Sequence, residues 1–411
     1  VNGKVVLSST GYSVAQSEVG EVGEGPWDAI VIGAGPAGSA AALRLAERGL
    51  RTLLVERERF PREKTCGDGL TPESLERLKG LGLYDKVLKA GHLVERVRAF
   101  SPSGVEVEVS GYCVTLKRSI FDAIMARAAV EKGAAFAFGE VVSVETGHRD
   151  VNVVFGGGER ICARTAIVAT GADWKLPLSL GMVETGLKGQ AAVRRYLRSS
   201  AVIDELIFSL ESTIMPGYAW IFPLGDGLYN LGCGDFRARG RGSLPNLRNA
   251  FNAFLEHSPP ARELLSRGEF VTPLKGGVLR CALRGVKGSE SDRVVAVGEA
   301  SATTIPFSGE GIGKALESGE LAASVVADAL AGGDFSKLKS FPREERKRFG
   351  VVYDGYEKAQ RLAGNRLFVE MLMKKANRNP RLTSTLTDIV EGKVQPDRVF
   401  SARGLWRAFL S

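Results

Sequence analysis

Apolar residues in this chain run together in short stretches whose period changes along the sequence. Ala29-Ile-Val-Ile32 has no polar interruption, the pattern of a strand buried on both faces of a parallel sheet. It opens into Gly33-Ala-Gly-Pro-Ala-Gly38, after which Ala37 to Leu50 carries alanine and leucine with good helix propensity. Arg51 to Val55 is a second apolar run and ends at Glu56. The stretch therefore predicts strand, helix, strand. A loop follows through Pro61, Gly67 and Gly69. Thr71 to Leu81 then predicts a helix, with Thr71 at the N-cap, Pro72 at the first helical position and Glu73 and Glu76 in the early turns. Val94–Phe100 and Val105–Val109 alternate on either side of Ser101-Pro-Ser-Gly104, which signals a hairpin. Helical spacing returns from Arg118 to Lys132 through Ile120, Phe121, Ile124 and Ala128, and Gly133 stops it. Residues 135–170 are strand-rich and close on Thr165-Ala-Ile-Val-Ala-Thr-Gly171.

The texture changes from about 175 to 285, where strand-like segments and turns surround one helical insert near 245–256. The first pattern then resumes. Arg293-Val-Val-Ala-Val-Gly298-Glu299 is an apolar run ending in glycine, followed by Pro306-Phe-Ser-Gly-Glu-Gly-Ile312 and a long helix. Residues 334–411 read as helical and basic. The expected architecture is α/β: a Rossmann-type nucleotide domain in two parts, 27–174 and 289–332, with an antiparallel-sheet substrate domain inserted at 175–288. Residues 1–26 are expected to be a flexible leader and 333–411 a helical C-terminal region.

Composition narrows the chemistry. The 411 residues are 44% hydrophobic and 25% charged, ordinary values for a globular protein. The five cysteines include no Cys-x-x-Cys pair, and the three histidines have no triad-like or metal-ligand neighbours, so disulfide, zinc and hydrolytic chemistry lose their footing. No metal is expected, and a reducing cytoplasm fits. The net charge of +8 is uneven: residues 341–381 hold 11 lysines and arginines against 5 acids. That stretch reads either as a solvated helical face or as an anion-attracting one. Within it, Asn365-Arg-Leu-Phe-Val-Glu-Met-Leu-Met373 is apolar almost all round and precedes Lys374-Lys375. It suits a buried terminal helix or a peripheral contact with the inner face of a membrane. No apolar run approaches the ~18 residues that span a bilayer. A nucleic-acid partner is not expected.

The glycines carry the chemistry. Gly33-x-Gly35-x-x-Gly38 follows a strand and opens a helix, as a dinucleotide fingerprint requires. The first glycine makes the tight turn, the second admits a pyrophosphate to the backbone, and the third lets helix and strand close up. Pro36 and Ala37 start the helix whose N–H groups face the phosphates. Glu56, 23 residues after Gly33, ends the second strand and suits a ribose hydroxyl pair, with Arg57 beside it. Gly298-Glu299 ends a second such strand, where a carboxylate can hold a ribityl hydroxyl. Gly309, Gly311 and Ile312 then put backbone N–H groups at a helix start, suited to the negative charge of a reduced flavin. A nicotinamide enzyme usually needs only the first half; FAD, bound along its length, uses both. Arg118 reads as a cofactor-side contact or as half of a surface ion pair with Asp122.

The loop Phe60-Pro-Arg-Glu-Lys-Thr-Cys66-Gly67-Asp-Gly-Leu-Thr-Pro72 resembles the cofactor-side loop of the geranylgeranyl reductase family. Pro216-Gly-Tyr-Ala-Trp-Ile-Phe-Pro223 and Asn230-Leu-Gly-Cys-Gly234 are similar to that family's aromatic substrate strand and its return. Asp68-Gly-Leu-Thr-Pro72 is especially like the menaquinone-tail reductases. The resemblance runs from about 27 to 330. It implies an FAD enzyme that saturates prenyl double bonds by hydride transfer from flavin N5 plus protonation, fed by an unidentified electron donor. It also implies cofactor contacts at Cys66, Gly67 and Gly171. Cys66, which could equally be a packing residue, Tyr218 or an ordered water is the candidate proton donor. Period two puts Tyr218, Trp220 and Phe222 on one strand face, and with Pro223, Asn230 and Gly232 they form the expected lipid-binding set. The loop and this wall are expected on opposite sides of the flavin. Two positions depart from the family pattern: Glu299 stands for Asp, and Thr170-Gly171 for Asp-Gly. A flavin monooxygenase or halogenase on the same fold, and a non-catalytic lipid-binding flavoprotein, are the competing readings.

Overall fold

The computed structural model describes residues 11–23, 25–185, 189–236 and 246–394. Along the chain come β1 (Ser17–Glu18), β2 (Trp27–Ile32), α1 (Pro36–Glu47), β3 (Thr52–Glu56), β4 (Gly69–Leu70), α2 (Pro72–Gly80), α3 (Tyr84–Ala90), β5 (His92–Phe100) and β6 (Glu106–Thr115). Next are α4 (Arg118–Glu131), β7 (Ala135–Phe138), β8 (Val141–Thr146), β9 (Val151–Phe155), β10 (Arg160–Val168) and α5 (Lys175–Ser179). The middle of the chain gives β11 (Gln190–Ser199), β12 (Leu206–Ser209), β13 (Tyr218–Pro223), β14 (Leu228–Asp235), α6 (Leu247–His257), α7 (Pro259–Ser266), β15 (Gly268–Phe270) and β16 (Lys275–Leu279). The described residues end with β17 (Val294–Ala296), α8 (Ile312–Gly332), α9 (Ser336–Ala363), α10 (Arg366–Ala376) and α11 (Pro380–Val390).

The apolar runs become a sheet ordered β1-β7-β3-β2-β10-β9-β8, with β17 beside β10. Its β1, β7, β3, β2, β10 and β17 pairings are parallel. Ala29, Ile30 and Val31 are fully buried because helices and loops cover both faces. Register does the functional work. Ile32 lies opposite Val55, so Gly33 and Glu56 leave the sheet at the same level. Val168 pairs with both Ile32 and Ala296, which brings Gly33, Gly171 and Gly298 to one end of the sheet. Alanine at 40, 41 and 42, all fully buried, lets α1 pack closely between the sheet and α8. At the crossing a side chain on Gly319 would overlap the backbone of Ala37.

The second sheet is ordered β15-β11-β14-β13-β12-β5-β6-β4, with β16 also on β11. Two expectations change here. The hairpin β5–β6 and the short β4 lie within 27–174, yet they belong to this second sheet rather than to the nucleotide domain. The link is the parallel pairing of β12 with β5. The hairpin's buried face, Val94, Val97, Val107 and Val109, joins Trp220 and Phe222 in one core cluster. Of the expected flexible leader, residues 1–10 lie outside the described residues, but the following segment is ordered against the sheet. Val14 and Val19 are buried, β1 caps the open edge of β7, and Phe60 N–H donates to the Gln16 side chain at 2.8 Å. Covering an open strand edge with a paired segment is a general way to satisfy its backbone.

Candidate active site

A cavity of roughly 1770 Å³ runs between the two sheets. That exceeds the ~300–1,000 Å³ of a pocket for one drug-sized ligand. Gly33, Gly35, Pro36, Ala37, Glu56, Arg57 and Gly171 line one end. Gly33 has φ +106, and a side chain there would strike the backbone of Ala169. Gly38 does not reach the cavity; a Cβ on it would overlap Gly33 O, so its role is to let α1 close onto the turn. Gly35 precedes α1 without any side-chain cap, leaving N–H groups available to an anion.

Glu56 is already held in place. Its Oε2 accepts from Ala34 N–H at 3.1 Å and from Arg62 Nε at 3.2 Å, and its Oε1 from Arg57 N–H at 3.0 Å. Arg57 itself pairs with Asp173 at 2.6 Å. Arg62 continues inward to Asp122 at 2.9 Å, and Asp122 takes Arg118 in a bidentate pair at 2.7 and 2.8 Å. Arg118 in turn faces the Cys66 thiol. This buried relay joins the nucleotide end to the reaction loop. Arg118 and Asp122 are therefore no surface pair: both are buried, Asp122 completely.

The second glycine cluster meets the first at α8. Gly298, at φ +63, does not line the cavity; it brings its loop against Ala37. Glu299 does line it and accepts from Arg280 N–H at 3.2 Å. Burial raises the Glu299 carboxyl above its ordinary range. Gly309, Gly311 and Ile312 line the cavity where α8 begins, again without a side-chain cap.

The loop after Arg62 turns at Asp68, which is fully buried with φ +64. Asp68 accepts from Tyr196 Oη at 2.7 Å, Asn230 Nδ2 at 2.8 Å and Arg118 N–H at 3.2 Å. Asn230 also donates to Cys66 O at 2.8 Å and accepts from Trp220 Nε1 at 3.1 Å. One asparagine thus ties the Cys66 loop to the aromatic strand. The loop and the aromatic wall are contiguous rather than opposed: a Cβ on Gly67 would lie 3.3 Å from the Phe222 ring. Asn230, Gly232 and Pro223 do not line the cavity, which corrects the substrate assignment for all three. Asn230 is a fully buried connector, Gly232 leaves space for the Trp220 indole, and the Pro223 carbonyl accepts from the Thr115 hydroxyl.

Tyr218, Trp220 and Phe222 do line the cavity, joined by Phe208 and Phe236. Phe208 meets Tyr218 and Phe222 edge-on at 5.3 Å, and Phe236 stacks on Tyr218 at 4.9 Å. Tyr218 Oη donates to Ser308 O. Beyond the rings the chamber is closed by Leu372 and Met373 of α10 and Leu386 and Ile389 of α11. Burial raises the thiol of Cys66 and the phenol of Tyr218, so both stay neutral near pH 7. Sequence reasoning missed Arg62, Asp68, Arg194 and Glu310. Arg194 is 1% exposed and lines the cavity, and its Nε and Nη1 have no hydrogen-bond partner among the described residues. Such donors fit a polar ligand. With the two glycine cradles they fit a dinucleotide that continues into a flavin.

Comparison with known proteins agrees. Residues 27–172 match the FAD binding domain family. A menaquinone reductase of Mycobacterium tuberculosis (strain ATCC 25618 / H37Rv) is 34% identical over 359 residues, covering 82% of this chain and 83% of that protein. The chain belongs to the geranylgeranyl reductase family. A second relative of this reductase, digeranylgeranylglycerophospholipid reductase 2 of Methanopyrus kandleri, is 30% identical over 371 residues, covering 85% and 89% of the two chains. Among solved structures, a geranylgeranyl bacteriochlorophyll reductase-like protein from Thermoplasma acidophilum superposes with TM-score 0.67 at 22% identity, covering 95% and 97%. The flavin-dependent brominase Bmp2 gives 0.73 at 18%, covering 94% and 98%, a likeness of fold alone. The protein is an FAD-dependent oxidoreductase.

Proposed function

We propose that this reductase saturates carbon–carbon double bonds in the isoprenoid tail of a lipid, with a prenylated quinone as the leading substrate. The observation that carries this reading is the continuity of the cavity, from the glycine cradle past Cys66 to a chamber walled by Tyr218, Trp220, Phe222 and Phe208. A flavin held there would supply a hydride, which carries both electrons of the reduction. The chain's own residues do the rest. Gly33, Gly35 and the start of α1 take the pyrophosphate, Glu56 the ribose, and Glu299 the ribityl chain. Gly309, Gly311 and Ile312 face the ring. The aromatic rings orient an apolar tail and exclude water, and their faces stabilise positive charge on a tertiary carbon when protonation leads.

The relatives whose names state a substrate act on menaquinone and on digeranylgeranylglycerophospholipid, which supports a prenyl lipid here. An electron donor outside the chain is part of this reading. So is peripheral membrane contact. On α10, Leu372 and Met373 line the chamber, while Leu367 and Met371 are 80% and 50% exposed beside Lys374, Arg378 and Arg381. Among the described residues no helix is long and apolar enough to cross a membrane, so an apolar face with a basic rim is the suitable way to reach a lipid.

The test is anaerobic incubation of the dithionite-reduced protein with prenyl quinones, prenyl diphosphates and prenyl glycerolipids, read by mass spectrometry. Addition of hydrogen pairs to the tail is expected. Full flavin reduction with no saturation of any member would overturn the proposal.

A further inference from the structure

Glu310 is used by none of the roles above. It lies between Gly309 and Gly311, where the second half of the cradle becomes α8, and it lines the cavity. Its carboxyl is hydrogen-bonded with Thr71 and Ser308. Ser308 is also the residue whose carbonyl takes the Tyr218 hydroxyl. Tyr218, Cys113 and Tyr356 each stand close enough to feel a charge on Glu310. The carboxyl therefore sits at the junction of the flavin end and the aromatic chamber. Among the described residues no lysine or arginine lies within ion-pair distance of it. Lys314, one turn along α8, is held by Glu73 and Glu317. Glu73 adds like charge from α2. A carboxyl among rings and a thiol, with a like charge near and no cation paired to it, favours its neutral, proton-carrying form.

We propose that Glu310 is the general acid of the reduction and delivers its proton to the double bond at the aromatic end of the cavity. This rests on the prenyl-reductase reading above. In the step the alkene π bond breaks. One carbon takes the Glu310 proton, and the other takes a hydride with its electron pair from the reduced flavin. Two C–H bonds form, the O–H bond of Glu310 and the N5–H bond of the reduced flavin break, and water returns a proton to the carboxylate afterwards. The alkene is reduced as FAD is regenerated in its oxidised form.

The alternatives are less suited. The Tyr218 hydrogen is committed to Ser308 O, and its phenol is raised well above its ordinary range. The Cys66 thiol is raised by burial and faces Arg118. Glu310 is pushed up to about 7, chiefly by burial and then by Glu73. That value lets one group both donate and be recharged near neutral pH.

The experiment has a spectroscopic and a kinetic arm. Infrared spectra are taken without lipid, in a Glu345→Gln background that removes one other buried carboxyl, pushed up to about 8. The Asp68 and Glu299 carboxyls, also raised by burial, are present in both samples and cancel on comparison with Glu310→Gln. A protonated-carboxyl band should fade as pH rises through about 7. The band should be absent once Glu310→Gln is added. In the kinetic arm, Glu310→Gln should lower anaerobic saturation by about 10²–10⁴-fold while the FAD spectrum is retained. Cys66→Ser and Tyr218→Phe should each cost less than about tenfold, below the range of a lost general acid. Wild-type-like turnover in Glu310→Gln, or a band that does not titrate in this range, would overturn the assignment. If Glu310→Gln fails to hold FAD, the wild-type rate must fall with pH at the same midpoint as the band, and a mismatch overturns it. If the wild type saturates no prenyl lipid, the substrate reading fails and this assignment with it. Turnover by wild type and Glu310→Gln alike sinks only the assignment.

Discussion

Asp122 holds two arginines at once. Arg118 grips it through two nitrogens and Arg62 through a third, all in a buried site. Asp122→Asn would leave the buried Arg118 without its counter-charge and Arg62 with Glu56 alone, a loss of roughly 3–5 kcal/mol. A fall of that size in the urea unfolding free energy is expected, together with weaker FAD retention because Arg62 also holds Glu56. Unchanged stability would mean that the two arginines find other partners. Glu345 is the opposite case. It is fully buried against the hydroxyls of Ser301 and Ser318, no cation pairs with it among the described residues, and burial pushes it up to about 8 from 4.5. The folded protein keeps this proton where the unfolded chain has released it. The stabilisation is therefore complete below about pH 4.5 and is lost as pH rises to about 8. The slope is on the order of 1 kcal/mol per pH unit. Glu345→Gln should flatten stability against pH in that window and leave the variant more stable than wild type at pH 8; a variant with the wild-type slope would contradict this. At this scale the sequence was readable wherever a residue acts through local geometry. Gly33, Gly35 and Glu56 declare themselves by spacing from a strand end. Asp68, Arg62 and Arg194 do not, because their partners lie on other elements, and nothing local distinguishes Glu310 from any glutamate in a glycine loop.

Elements divide along the same line. Helices α1, α2, α4 and α8 form close to where period and capping residues placed them, since a helix satisfies its backbone within itself. The β5–β6 hairpin was legible as a hairpin but not as part of the second sheet. Its membership depends on β12, about a hundred residues on, choosing β5 as a parallel partner, and alternation says nothing about partners. Helix α10 shows why its segment looked apolar all round. Val369 and Met373 pack inward and Leu372 lines the chamber, while Leu367 and Met371 face out. Leu367→Asp with Met371→Asp should weaken co-sedimentation with phosphatidylglycerol-containing vesicles by about tenfold or more, given ~1.5–3 kcal/mol for each large apolar side chain withdrawn from water. Turnover of a short, soluble prenyl substrate should be unchanged. Equal sedimentation of variant and wild type would remove membrane contact from this face.

At the scale of the molecule, one cavity joins two ends whose walls come from different sheets. The nucleotide end is assembled from distant stretches, Gly33 and Gly298, which meet only because β10 pairs with β2 along one edge and with β17 along the other. The chamber end is made by the second sheet, with α10 and α11 closing it. FAD should therefore bind the folded chain alone and stabilise it by mass action, by about 2.7 kcal/mol at a hundredfold excess over Kd. The two ends should also be separable by mutation. Gly298→Val places a branched side chain at positive φ and against Ala37. It should abolish the FAD-dependent rise in melting temperature. Trp220→Ala empties part of the chamber and frees the Asn230 carbonyl, while the Trp220 indole N–H donates to Asn230 and not to Gly33, Gly35, Glu56 or Glu299. It should lower intrinsic stability by about 3–5 kcal/mol and impair lipid turnover, while the further rise on adding FAD stays as in wild type. The comparison is made by differential scanning fluorimetry with and without FAD on all three proteins. Loss of the FAD-dependent rise in Trp220→Ala would mean that the aromatic wall is part of the cofactor site and not of a separate lipid chamber, and the substrate assignment built on that wall would fall with it.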